Sequence, residues 1–206
     1  MIIKRYISII FFIFLLIHIN CAKKITIEKI NVITSIFPLY DFVREIGKNK
    51  INVSMILPPG TESHSFEPTP QDILKINESA MFIYISETME PWARDIIKSL
   101  KNPKLIILEA GQNIETLETS NNHSDADKSL KKEHKKENEN HKHTDRDPHI
   151  WLDFEIAQKI VINISEKLSL IDPANKEFYK KNAEEYNIKL AQLDKKYKET
   201  IDKCEL

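Results

Sequence analysis

A chain of 206 residues has length for one α/β core, or for one lobe with a linker element, and its formal net charge of -1 offers no electrostatic footing for nucleic acid. Its glycines, Gly47, Gly60 and Gly111, are too few and too dispersed for either common phosphate-cradling loop, which excludes nucleotide chemistry of that kind.

The chain opens on a targeting segment. Lys4 and Arg5 form a positive n-region, and Tyr6 to Ile19 is an almost unbroken apolar run, shorter than the roughly 20 residues of a spanning helix. Residues 1–21 read as a signal peptide. Cys21 directly after the apolar run resembles the lipobox of bacterial lipoproteins, with Cys21 as the lipidated residue and the membrane reached through that anchor. The alternative is an ordinary secretory signal with Cys21 incidental. Both export the chain, to the periplasm or the cell surface. Cys21 and Cys204 make no disulfide framework.

In the mature chain, Ile25 to Ile36 is rich in β-branched residues and reads as a strand, with Pro38 in the first turn of a following helix. Leu39, Phe42, Val43 and Ile46 keep helical spacing until Gly47. Ile51 to Leu57 is a second strand, closed by Pro58-Pro59-Gly60. Gln71 to Asn77 is a short helix, Ala80 to Ser86 a strand, Trp92 to Leu100 a helix and Leu105 to Leu108 a strand. This alternation predicts right-handed parallel β-α-β units: an α/β lobe with a sheet of about four strands flanked by helices, over residues 25–171.

From Thr116 to Arg146 the composition becomes Asn, Glu, Asp, Lys, Ser and His, with too little apolar surface to offset ordering entropy. It reads as a disordered surface loop carrying His123, His134, His141 and His143. Phe154 to Ser169 is a helix with Ile156, Ile160, Ile164 and Leu168 four apart. Asp172 and Pro173, read as N-cap and first helical residue, open a long helix over 172–206. Its apolar stripe runs through Tyr179, Ala183, Tyr186, Leu190, Leu193, Tyr197 and Ile201. Unbroken from Ala174 to Lys203, it could approach 45 Å at about 1.5 Å per residue.

Two histidines stand where metal chemistry is plausible. His64 lies on a proline-stiffened loop, Pro58 to Pro70, just beyond a strand's carboxyl end, where open α/β sheets place ligands. His149 follows Pro148 and precedes Trp151. Neutral imidazole is the commonest biological metal ligand, and zinc favours four N, S or O donors. Two polar loop histidines without metal remain the alternative. The His-rich loop adds auxiliary donors, suited to metal collection because a flexible segment loses entropy on ordering. No HExxH motif is present, and Glu67 is the one acid near His64 that could act as general base, so the chain is not read as a hydrolytic enzyme.

PPGTESHSFEPTPQD, Pro58 to Asp72, closely resembles the first-ligand motif of the zinc and manganese solute-binding proteins that feed ABC importers. DPHIWLD, Asp147 to Asp153, resembles their second-ligand motif, and the preceding His- and acid-rich loop is typical of the zinc branch. Asp172 to Leu190 resembles the start of the helix joining the two lobes, and Val32 to Leu39 also fits. The resemblance implies Zn2+ (with Mn2+ or iron as alternatives) held by His64 and His149, Trp151 and Asp153 as loop supports, and delivery to a membrane permease with its ATPase, without covalent chemistry. Some zinc members carry a ligating Glu directly before the first His; Ser63 stands there, with Glu62 one further back. A third His and a carboxylate come from the family's second lobe, and no residue of this chain matches them. The expectation is therefore an N-terminal lobe with a truncated inter-lobe helix, with a tethered low-affinity metal buffer or a non-functional fragment as the alternative.

Overall fold

Val32, Met81 and Ile83 alternate with Ile33, Phe82 and Tyr84 between two packed faces, as period-two geometry requires. Met81–Tyr84 is buried along its whole length, the pattern of a parallel strand covered on both sides. The computed structural model describes residues 29–112 and 147–204. Four strands, β1 (Ile30–Thr34), β2 (Ile51–Met55), β3 (Met81–Tyr84) and β4 (Ile106–Glu109), form one sheet in the order β2-β1-β3-β4. All three pairings are parallel, with Ile30 opposite Ile51, Val32 opposite Met81 and Met81 opposite Ile106. The chain is thus α/β with a four-stranded parallel sheet, as its alternation predicts.

The helices are α1 (Phe37–Gly47), α2 (Pro70–Glu78), α3 (Pro91–Ser99), α4 (Phe154–Ile171) and α5 (Lys176–Ile201). Local chemistry sets their starts. Prolines occupy the first turns of α1, α2 and α3, where a missing N–H is no loss. Thr69 and Asp72 make a reciprocal capping box on α2, and the Asp153 carboxylate accepts the amides of Glu155 and Ile156 at the start of α4.

One core joins the sheet to α1, α4 and α5 through Val32, Leu39, Val43, Ile46, Ile83, Ile160, Ile164, Leu168 and Tyr179. A smaller one joins the opposite face to α2 and α3 through Ile33, Ile76, Phe82, Ala93 and Ile96. Ile160, Ile164 and Leu168 are fully buried, each contributing about 1.5–3 kcal/mol. Among the described residues no helix is long and apolar enough to cross a membrane; the apolar run before Cys21 lies outside them.

The final helix departs from expectation at its start. Pro173–Asn175 is a 3-10 turn, and α5 begins at Lys176. The Asp172 carboxylate caps no backbone amide; it accepts from the Asn175 amide group and the Tyr179 hydroxyl, which tie the turn to the helix. The 26 residues of α5 span roughly 39 Å. Its stripe is covered only in part. Tyr179 and Ala183 are buried against the lobe, whereas Leu193, Tyr197 and Ile201 are about half exposed or more.

Candidate metal centre

The order β2-β1-β3-β4 reverses direction between β1 and β3, and the crevice beyond the carboxyl ends of those strands is where α/β sheets bind ligands. Three segments converge around this end of the sheet. The first follows β2, the second follows β3, and the third is residues 147–153. The expected strands run one or two residues too far here, because Ser35, Ile56 and Leu57 keep backbone hydrogen bonds while leaving the ladder.

Residues 58–61 form a tight turn, with Pro59 second, Gly60 third at φ 79° and the Thr61 amide donating to the Pro58 carbonyl at 3.2 Å. This is the type II pattern, in which the third position needs positive φ and therefore favours glycine. Glu62 does not point away as a free donor. Its carboxylate accepts the His64 backbone amide at 3.1 Å, and that bond holds it below the usual carboxylate range. Ser63 is buried, so the position before His64 is an anchor. The His64 ring is left exposed above it.

His149 arrives on a different support. Its backbone amide and its ring Nδ1 both contact Asp147 Oδ1, at 2.9 and 2.7 Å. The amide bond first, then the ring, keeps the Asp147 carboxyl below its ordinary range. An ionised carboxylate only accepts, so the proton sits on Nδ1 and the Nε2 lone pair is free. A carboxylate that fixes the imidazole tautomer in this way is the usual companion of a metal-ligating histidine. Trp151 stands edge-on to the same ring, with centroids 5.4 Å apart. Gly111 seats the segment: its amide bonds the Ile85 carbonyl at 2.9 Å, and an added Cβ would lie 2.8 Å from the Ile150 side chain and 2.9 Å from the Ile85 oxygen.

The two supports bring His64 and His149, distant in sequence, to a ring-centroid separation of 6.0 Å with planes at 84°. Two imidazoles sharing a tetrahedral zinc at about 2.0–2.1 Å would have centroids roughly 5 Å apart, so closure by about 1 Å makes a shared ion feasible. Among the described residues no cluster of three or more His, Cys, Asp or Glu forms. The arrangement is thus a pair of histidines with no third such side chain completing a cluster among the described residues. His123, His134, His141 and His143 lie outside the described residues, as does Cys21.

Sequence reading misses three contributors. Asp147 was part of a recognised motif without a role; an acid two residues before a histidine is the signal that could have found it. Glu90 is fully buried, accepting the amides of Ile85 and Ser86 and the Ser35 hydroxyl. Burial raises its carboxyl above the ordinary range while these donors pull it down. Trp92 donates its indole N–H to the Ser63 carbonyl at 3.1 Å. Neither Glu90 nor Trp92 announces itself in a sequence, because Glu-Pro-Trp reads as a plain helix start.

Residues 32–206 match the family model described as ZnuA, zinc-uptake complex component A, periplasmic. The high-affinity zinc uptake system protein ZnuA of Bacillus subtilis (strain 168) is 38% identical over 180 residues, covering 86% of this chain and 53% of the relative. Among solved structures, the metal-dependent lipoprotein YcdH from Bacillus subtilis superposes with a TM-score of 0.70 at 35% identity, over 86% of this chain and 58% of that one. The Zn(II)-bound ZnuA-like domain of Streptococcus pneumoniae AdcA gives a TM-score of 0.66 at 29% identity, over 82% and 55%. The chain therefore spans about half the length of each of these three proteins. With its sheet order, its paired histidines and a match over residues 32–206, the chain belongs to the ZnuA family of zinc-uptake complex components, a family of binding proteins and not of enzymes.

Proposed function

We propose that this chain captures Zn2+ outside the cytoplasmic membrane and passes it to an ABC permease and its ATPase, with His64 and His149 as two of the metal's four ligands. The observation that carries the reading is the convergence of the two imidazoles at 6.0 Å, one with its Nδ1 proton committed to Asp147. Neutral imidazole is the commonest biological metal ligand. Nitrogen donors suit zinc better than manganese. The relatives' names, a high-affinity zinc uptake system protein and a Zn(II)-bound domain, favour the same ion.

Two coordination positions stay open to donors beyond this pair. Water, the histidines of 116–146, or the second lobe that the family resemblance implies would fill them. Residues 25–171 then act as the metal-binding lobe and 172–206 as the helix leading towards its counterpart. Export through residues 1–21 and anchoring through Cys21 complete the reading, supported by the lipoprotein relative.

Competition against a zinc chelator tests the site. His64→Ala and His149→Ala are each expected to weaken binding by at least tenfold, while deletion of 116–146 leaves one ordered zinc. Loss of all binding with the loop, and none with either histidine, would establish a tethered metal buffer instead.

A further inference from the structure

The metal-facing loop is held from below by a helix that plays no part in ligation. Residue 90 opens α3, and its carboxylate reaches back to the ends of β1 and β3. It takes the Ile85 amide at 3.1 Å, the Ser86 amide at 3.1 Å and the Ser35 hydroxyl. These hydrogen bonds fasten the first turn of α3 to the two strands at the switch point. Two residues on, Trp92 rises from that fastened turn. Its indole packs edge-on against Phe66, with centroids 5.5 Å apart, and tilts over Phe82 at 6.3 Å. Its N–H donates to the Ser63 carbonyl at 3.1 Å. Ser63 is itself buried, with its hydroxyl 3.8 Å from the Met89 sulfur. The peptide leading into His64 is therefore gripped from one side by residues 89–92 and from the other by Glu62, which holds the His64 amide.

We infer that Trp92 is a positioning residue for His64: the indole N–H, presented from a turn locked by Glu90, sets the peptide plane from which the imidazole meets the metal. The inference rests on the reading of His64 as a zinc ligand. A metal site gains affinity when its ligands are held near their bound geometry before the ion arrives, and the wide 6.0 Å separation of the two rings leaves little latitude for a wandering loop.

The test is a double-mutant cycle on the full chain, with Zn2+ affinity read by chelator competition. Trp92→Phe keeps an aromatic ring over Phe66 and Phe82 and removes only the donor. It should weaken binding roughly threefold to tenfold, the effect of one lost hydrogen bond. The same substitution in a His64→Ala background should cost nothing further. An equal loss in both backgrounds would mean general loosening of the lobe, and an unchanged affinity would mean the bond is idle; either overturns the inference. If His64→Ala itself leaves affinity unaltered, the zinc reading falls and takes this one with it. A measurement on the unsubstituted chain stands independent of whether the variants fold: solvent exchange of the Trp92 indole proton, followed by NMR, should slow when zinc is added, and exchange indifferent to zinc overturns the proposal.

Discussion

At the scale of single residues, the site depends on protons being in the right place. Asp147 makes two contacts to His149, and the ring contact at 2.7 Å leaves only Nε2 for a metal. Asp147→Ala should therefore lower zinc affinity about tenfold. Asp147→Asn, which retains an acceptor oxygen, should lose less. Chelator competition measures both, and the nitrogen shifts of His149 report whether the tautomer has been released. The sequence displayed the motif but not this division of labour, since adjacency in a chain does not say which atom of a carboxylate faces which ring nitrogen.

At the scale of elements, α2 is set by its capping box, and that box has an acid dependence. Burial works to raise the Asp72 carboxyl, but bonds from the Thr69 hydroxyl and amide, helped by Lys75, outweigh it and leave it below the usual range. A carboxyl lowered on folding stabilises above its unfolded pKa, about 3.9, and this contribution disappears as pH falls through the folded value. Asp72→Asn is expected to cost about 1 kcal/mol at pH 7. The difference from the parent should shrink below about pH 4, as urea midpoints at the two pH values would show. The four strands and the start of α1 at Pro38 were legible in advance, because each is dictated by residues a few positions apart; the capping box was not read, although Thr69 and Asp72 stand at its spacing. The start of α5 was not legible. Asp172-Pro173 has the letters of a cap, but the Asp172 carboxylate is claimed by Asn175 and Tyr179, and a 3-10 turn precedes the helix.

At the scale of the whole molecule, the lobe covers half of α5. Asn182 donates to the Ile46 carbonyl and Tyr186 to Asp41 of α1, locking the first turns down. The hydroxyl of Tyr186 is pushed to a higher pKa by burial first and by Asp41 next, so it remains a donor. Beyond Leu190 the stripe emerges: Leu193, Tyr197 and Ile201 are 49%, 60% and 57% exposed. An apolar ridge of this kind favours association. The described lobe should self-associate at high concentration, and Leu193→Glu with Ile201→Lys should reduce it, as sedimentation velocity would reveal. Sedimentation indifferent to the pair would mean the ridge is innocuous.

The sequence by itself determined the alternation of strands and helices, the two histidine motifs and the family they resemble, since hydrophobic period and short motifs are local properties. It could not determine which strand lies beside which, and that choice puts the reversal of the sheet between β1 and β3. Only the tertiary structure decided that His64 and His149 meet at that end, that a buried Glu90 fastens the turn carrying Trp92, and that the long helix is half covered. Each of these depends on contacts between segments remote in the chain, where packing and desolvation outweigh local preference.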